Sequence, residues 1–198
     1  MSDSPARAAA AELRAIAELL ATRETDDDTL TVAGAHLDAV RATLDALPTR
    51  PRWYEVDPSD REASRAYHDE FGPLRGAASV VAPPLVFLKS TQNQHGEVVV
   101  AWARCGAVYE GPPRLVHGGI VAACFDEILA VAQRNAGVNG LTVELTVRYR
   151  APVTIDTDLT FTAWIESDDG RRAVGRAACT TDGGLAADAT ATFVRPKT

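Results

Sequence analysis

The most distinctive hydrophobic pattern in the chain runs from Ile120 to Ala132, where Asp126 and Glu127 are the only charged residues. A stretch that is apolar on nearly every side predicts a buried central helix over about residues 117–135, and the glycines that follow predict its end. A carboxylate inside such a helix is costly unless it is paired or has a chemical role. The two acids therefore mark the centre of the chain as a candidate site.

Strand-like segments flank this helix on both sides. Before the helix, Leu85–Lys89 and Glu97–Arg104 predict two strands. After it, four segments with apolar residues at alternate positions predict strands, and Asp/Gly-rich sequences predict hairpin turns between the last three. These four segments are 141–150, 157–167, 171–181 and 185–195. The order of elements predicts an α+β fold, in which a single antiparallel sheet wraps around one long helix.

The N-terminal part has a different character. Residues 5–22 and 30–47 each carry an apolar stripe at helical spacing, whereas residues 49–83 are rich in proline and charge and predict a mostly irregular connector. We therefore predict a helical extension with its connector over 1–83 and the main domain over 84–198. Neither helix is apolar enough to be stable alone, so we expect them to pack on the main body or on a partner subunit. A regulatory or targeting role is the alternative.

Composition excludes several classes of function. The formal net charge of −7 argues against a general nucleic-acid surface. No apolar run approaches the ~20 residues of a membrane span, and the N-terminus lacks the basic and leucine-rich segments of a secretory signal. The three cysteines are widely spaced and form no CxxC, and the four histidines lack metal-ligand spacing. We expect a cytoplasmic protein with reduced thiols, no metal and no cofactor.

The start of the central helix offers a second chemical feature, the sequence His117-Gly118-Gly119. Free backbone N–H groups and the positive end of the helix dipole collect at a helix start, where both attract a carbonyl oxygen that becomes negative. Asp126 follows two to three turns later. Asp126 and Glu127 diverge by about 100° around the helix, so both cannot point into one small site. We predict Asp126 as catalytic base or nucleophile, and Glu127 as a structural group or a substrate contact.

This combination resembles the hotdog-fold acyl-CoA thioesterases over about residues 84–195, in particular the branch with the phenylacetate-pathway thioesterase and the human thioesterase superfamily members. The similar residues are the Tyr-Glu-Gly-Pro-Pro-Arg-Leu-Val-His-Gly-Gly segment at Tyr109–Gly119, the acid Asp126 nine positions after the histidine, and Tyr149–Pro152 in the following strand. The resemblance implies a hotdog fold with an N-terminal helical extension.

The resemblance also implies residue roles. A backbone amide at Gly118, with Gly119 as its neighbour, would bind the thioester carbonyl, and Asp126 would be the catalytic carboxylate. Thr142 matches a strand residue that positions water or the acid. His117 either shapes the helix start or transfers a proton directly, and the first role is the more common one at a helix start.

Further residues have a chemical and an ordinary interpretation. Arg148 and Arg150 are candidate contacts for the phosphates of coenzyme A, although strand cations are often just solvated. Glu110 and Gly111 stand where some relatives carry an Asn or Gln that assists the oxyanion site. Cys124 lies in the apolar run without a neighbouring base, which favours a core thiol over a nucleophile.

The leading hypothesis is the hydrolysis of acyl-CoA thioesters to a free acid and coenzyme A, without a cofactor. The family's sites lie between two subunits, so we expect a homodimer or a dimer of dimers and no membrane or nucleic-acid partner. One rival is a non-catalytic hotdog module that binds acyl-CoA or serves as an assembly subunit. The other is a different reaction on the same fold, such as enoyl-CoA hydration, which needs an Asp/His arrangement that we do not find after the helix.

Overall fold

The computed structural model describes residues 4–57 and 59–196, which divide into two compact units. The first unit holds the described residues up to Gly72 together with Gly76–Val80. Its elements are α1 (Pro5–Thr22), α2 (Asp27–Asp45), α3 (Trp53–Val56) and α4 (Arg61–Phe71). The second unit comprises Pro73–Arg75 and the residues from Val81 onward.

Side-chain caps begin the helices of the first unit. The Ser4 hydroxyl accepts a hydrogen bond from the Arg7 N–H, and Asp26 accepts one from the Thr29 N–H at 2.7 Å. Each cap satisfies an N–H group that the helix itself leaves without an acceptor. α1 is tied to α4 by an ion pair in which the Arg7 Nε lies 2.7 Å from the Glu70 Oε2. The extension is therefore helical, as predicted.

The connector differs from its prediction as a mostly irregular segment. It contains α3 and the three-turn helix α4, which begins where Asp60 accepts hydrogen bonds from the Glu62 and Ala63 N–H groups. The polar composition of α4 concealed it, because most of its residues remain at the surface. A cap residue is thus the physical signal that starts this helix.

The second unit contains the predicted sheet and helix. Its elements are β1 (Leu85–Phe87), β2 (Thr91–Asn93), β3 (Gly96–Arg104), α5 (Gly118–Asn135), β4 (Leu141–Tyr149), β5 (Asp158–Asp168), β6 (Arg172–Thr181) and β7 (Gly184–Val194). The antiparallel sheet has the order β1-β3-β5-β6-β7-β4, and β2 pairs with β3 outside this path. The fold is the predicted hotdog arrangement of one sheet around one long helix.

The core lies between α5 and the inner face of the sheet. Phe125 and Ile128 of α5 are fully buried, and the Phe125 ring contacts the Phe161 ring edge to face at 5.3 Å between centroids. Buried alanines line the facing strands, which lets the helix lie close to the sheet. A Cβ at Gly175 would lie only 2.8 Å from the Leu129 Cδ2. Small residues on the sheet therefore make room for large residues on the helix.

Strand β4 forms one edge of the sheet, and none of its residues is fully buried. Leu145 and Val147 pack against the core, whereas Leu141 and Val143 are 66% and 59% exposed. The register of β4 shifts between Thr142 and Glu144, as at a β-bulge. An edge strand with open backbone groups and exposed apolar side chains is suited to pairing with another chain.

Candidate active site

The first turn of α5 is organised by His117, its N-cap residue. The His117 Nδ1 accepts a hydrogen bond from the Gly119 N–H at 3.0 Å. The His117 N–H donates to the Tyr109 carbonyl at 2.8 Å and ties the helix start to the preceding loop. His117 thus shapes the turn, and the Gly119 N–H is used within it.

The Gly118 N–H stays available at the same turn. Gly118 is the first residue of α5, where a helix supplies no acceptor of its own, and no other described residue accepts a hydrogen bond from this N–H. The Tyr149 hydroxyl donates to the Gly118 carbonyl at 2.7 Å. A Cβ at Gly118 would lie 3.2 Å from the Tyr149 Cζ and Oη, so glycine permits this close approach. The helix dipole adds a positive potential at the open N–H.

A cleft of about 390 Å³ opens beside this N–H. Gly118 and Tyr149 form part of its wall, and most of the remaining wall is apolar. The other lining residues are Pro112, Leu115, Val116, Val121, Arg150, Ala151, Pro152 and Val153. An apolar cleft with one convergent polar group is the usual form of a small-molecule site.

The loop before the helix is held by its own side chains. The Glu110 carboxylate accepts a hydrogen bond at 2.5 Å from the backbone N–H of Arg114, a residue with a positive φ of 62°. A Cβ at Gly111 would lie 2.9 Å from the His117 Cα, so this glycine lets the loop pack on the helix start. Glu110 therefore stabilises the loop backbone.

Asp126 lies further along α5, half-buried, and faces β4. The Thr142 hydroxyl donates to the Asp126 Oδ1 at 3.5 Å, the long end of the hydrogen-bond range. The two residues predicted to act together are therefore neighbours. Eight residues separate Gly118 from Asp126, which corresponds to about 12 Å along the helix. The described lining of the cleft does not include Asp126.

A protein-family model matches the part of the chain that carries this site. Residues 114–187, which hold the helix start, Asp126 and Thr142, match the family model of the thioesterase superfamily. The matched region covers α5 and most of the sheet, so it includes all the predicted site residues. No curated protein sequence matches the chain.

Solved structures share the fold of this chain. A thioesterase superfamily protein of known crystal structure is 24% identical, with a TM-score of 0.78 over 98% of this chain and 92% of that chain. Zebrafish thioesterase superfamily member 2 is 19% identical, with a TM-score of 0.54 over 74% of this chain and 100% of its own. The E. coli PaaI protein from the phenylacetic acid degradation operon is 16% identical, with a TM-score of 0.51 over 56% and 82%. The first match extends across the N-terminal helices.

Glu127 is not among the described residues that line the cleft. Its Oε2 is 3.7 Å from the Arg75 Nη1, and the two side chains are 16% and 7% exposed. Burial raises the pKa of Glu127, while the Arg75 charge opposes this rise and the Asp126 charge adds to it. A buried carboxylate next to a buried guanidinium is the arrangement of a structural ion pair. This environment favours the structural interpretation of Glu127 over substrate contact.

The two arginines of β4 differ in their surroundings. Arg150 lines the cleft, and its Nε lies 2.5 Å from the Asp188 Oδ2 on β7. Arg148 is exposed and stands opposite Asp188 in the register of the two strands. Arg150 therefore lines the cleft while it is paired with Asp188, and Arg148 lies outside the described lining.

Other predicted features have simple structural outcomes. The cysteines are free and buried, and burial raises the pKa of Cys124, which fits a core thiol. Within residues 4–57 and 59–196, no group of His, Cys, Asp and Glu side chains is arranged to hold a metal ion. None of the helices in the described residues is long and apolar enough to cross a membrane.

Sequence reasoning missed two residues that organise the site. Tyr149 enters the sequence analysis only as part of the Tyr149–Pro152 segment, yet its hydroxyl donates to the Gly118 carbonyl. Arg75, the partner of Glu127, stands 52 positions earlier in the chain, in the predicted connector. A buried acid in an apolar helix signals that some cation must be near, but the sequence does not say which one.

Proposed function

We propose that this thioesterase domain hydrolyses acyl-CoA thioesters to a free acid and coenzyme A. The main support for this proposal is the open N–H of Gly118, which lies at a helix start beside an apolar cleft. A thioester carbonyl oxygen that accepts from this N–H would gain both a hydrogen bond and the helix potential as it becomes negative.

The reaction needs a base in addition to the oxyanion donor, and we assign this role to Asp126. Asp126 takes a proton from water while the water oxygen bonds to the carbonyl carbon, and Thr142 orients the carboxylate. The tetrahedral intermediate then collapses: the carbon–sulfur bond breaks, and the sulfur leaves as a thiol with the proton that Asp126 held. Direct attack by Asp126 to form an anhydride is the alternative route that oxygen-isotope labelling of the enzyme distinguishes.

We infer that each site combines two copies of the chain. Gly118 and Asp126 of one copy lie about 12 Å apart along the helix, whereas a general base works within about 3 Å of the proton that it removes. The exposed edge of β4, next to Thr142, offers the surface on which a second copy would bring its own Asp126 to the cleft. A homodimer is therefore the smallest active form in this proposal. Free buried thiols fit the cytoplasm as its location.

The first test is thiol release from short, medium, long and aromatic acyl-CoAs, with the Asp126→Asn variant beside the natural protein. Loss of a general base should reduce kcat about 10²–10⁴-fold. A folded protein that binds acyl-CoA but releases no thiol would instead support the rival proposal of a non-catalytic binding module.

Mixing variants tests the shared site separately. Asp126→Asn and a variant without the Gly118 N–H, Gly118→Pro, are co-expressed so that they form mixed dimers. One of the two sites in a mixed dimer would then be intact, so roughly a quarter of the natural activity should return in a random mixture. Mixed dimers that stay inactive would show that each copy uses its own Asp126.

A further inference from the structure

Helix α2 presents a continuous apolar surface that the first unit leaves open. Every residue of α2 is exposed, although several of them are large and apolar. Apart from Val32, these large apolar residues together with an alanine recur at alternating intervals of three and four, as in a heptad repeat. They are Leu30, Ala33, Leu37, Val40 and Leu44, which we call the α2 seam. A seam with a 3.5-residue period matches the surface of another helix that packs alongside it.

The charges beside the α2 seam fit a second copy of the same helix. Asp27, Gly34 and Arg41 are spaced by seven residues and flank the seam on one side. In an antiparallel pair of identical helices, equivalent flanking positions face each other across the symmetry axis. With that axis beside residue 35, Asp27 of each copy faces Arg41 of the other. Two opposite-charge pairs thus form from a single helix sequence.

The same axis also aligns the apolar residues. Leu30 of one copy then stands in a layer with Val40 of the other, and Ala33 stands in a layer with Leu37. A parallel pair would instead place Arg41 beside His36 of the second copy and give it no acidic partner. The charge pattern therefore selects the antiparallel arrangement.

Gly34 gives an independent indication of the same contact. Glycine destabilises a helix interior, and a Cβ at Gly34 would meet no atom of its own chain within 4 Å. The chain by itself gives no steric reason for a glycine here. At the symmetry axis, however, Gly34 would face Gly34 of the second copy, where a missing side chain lets two helices approach closely.

We propose that α2 is an assembly helix that pairs antiparallel with α2 of a second copy of this chain. Arg41 contacts Asp38 at 2.9 Å within the helix, but both side chains are more than 70% exposed. Such surface pairs contribute little, so Arg41 is available to Asp27 of the partner. The proposal does not depend on the activity of the thioesterase domain.

Cysteine cross-linking between two full-length variants tests the proposal. Leu30→Cys and Val40→Cys proteins are purified separately, mixed and oxidised mildly, and the disulfide species are separated by mass. The natural cysteines are buried and should not interfere. In the antiparallel pair the mixed disulfide should form about 1,000-fold faster than by random encounter, since paired positions have an effective concentration on the order of millimolar against micromolar protein.

Matched controls distinguish antiparallel pairing from parallel pairing and from random encounter. The pair Ala35→Cys and Ala42→Cys places thiols on the opposite face of the same helix and should cross-link only at the encounter rate. Disulfides within each single variant, rather than between them, would indicate a parallel pair and overturn the proposal. No acceleration over the control pair would show that α2 packs elsewhere and would also overturn it.

The charge pairs allow a second, independent test on the same cross-linking background. Arg41→Asp should slow the mixed disulfide about two- to fivefold, and adding Asp27→Arg in the same chain should restore the rate, because the two pairs then form with reversed sign. Circular dichroism confirms that α2 is helical in each variant. If the double variant does not regain the natural rate of mixed-disulfide formation, the proposed antiparallel charge pairing is wrong.

Discussion

Replacing Gly118 with proline removes one backbone N–H, and it adds a Cβ that would lie 3.2 Å from the Tyr149 ring. Proline is favoured at the first position of a helix, where its missing N–H is not needed by the helix and its fixed φ suits the turn. The preceding residue must be extended, and His117 already has φ −58° and ψ 129°. We therefore expect the Gly118→Pro protein to fold with an almost unchanged melting temperature.

The expected effect on turnover follows from the hydrogen bonds at the helix start. The neighbouring Gly119 N–H donates to His117, so it cannot take over the role of the lost donor. Removal of one oxyanion donor typically costs about 2.7–4 kcal/mol of transition-state stabilisation, which is a 10²–10³-fold loss of kcat. We expect a loss in that range with a much smaller change in KM.

Gly118→Ala is the matched control, because it keeps the N–H and adds a Cβ. That Cβ would lie 3.2 Å from the Tyr149 ring, so the ring must move by a few tenths of an ångström. We expect a loss below about tenfold for alanine, which corresponds to at most ~1.4 kcal/mol. The assay is steady-state thiol release from the best acyl-CoA substrate. Equal losses in both variants would assign the effect to crowding, and full activity of Gly118→Pro would refute the oxyanion role of this amide.

Three further predictions concern the surroundings of the site and the stability of the domain. Tyr149→Phe removes the hydrogen bond to the Gly118 carbonyl, so unfolding should become easier by about 0.5–1.5 kcal/mol in a denaturant titration, and turnover should fall. All three thiols are buried, and burial raises the pKa of Cys105 to about 11. A thiol reagent should therefore label the native protein slowly and the unfolded protein at three sites. Hydrogen bonds from Arg195 hold the pKa of Asp168 at about 2, below its ordinary value of 3.8. This pair should stabilise the fold above pH 4 and lose its contribution as the pH falls toward 2, so Asp168→Asn should flatten the acid decline of the melting temperature.

The central helix and the strands after it could be predicted closely from the sequence. The predicted helix over 117–135 corresponds to Gly118–Asn135, and the four predicted strands agree with β4 to β7 within about one or two residues. Local rules suffice here, because apolar periodicity and Asp/Gly turns fix each element by itself. The strand order β1-β3-β5-β6-β7-β4 was not predicted, since pairing between strands that are distant in the chain depends on the assembled core.

The site shows the same division between local and long-range information. Gly118 and Asp126 were singled out from a motif within one segment, and in the structure Asp126 lies next to Thr142. The Tyr149 contact could not be derived, because the register shift between Thr142 and Glu144 interrupts the simple alternation on β4. Side-chain alternation predicts only which face a strand residue occupies, and the contact partner of Tyr149 requires the folded structure.

Catalysis in the proposed site depends on assembly for a geometric reason. The oxyanion donor is fixed by groups of one chain, since His117 holds the turn and Tyr149 holds the Gly118 peptide. The base and its partner Thr142 lie about 12 Å further along the same helix, beside the open edge of β4. Each copy therefore supplies half of two sites, and pairing through that edge would complete both at once. A contact between α2 helices would add a second interface between copies, so its loss should weaken activity only at protein concentrations low enough for the copies to separate.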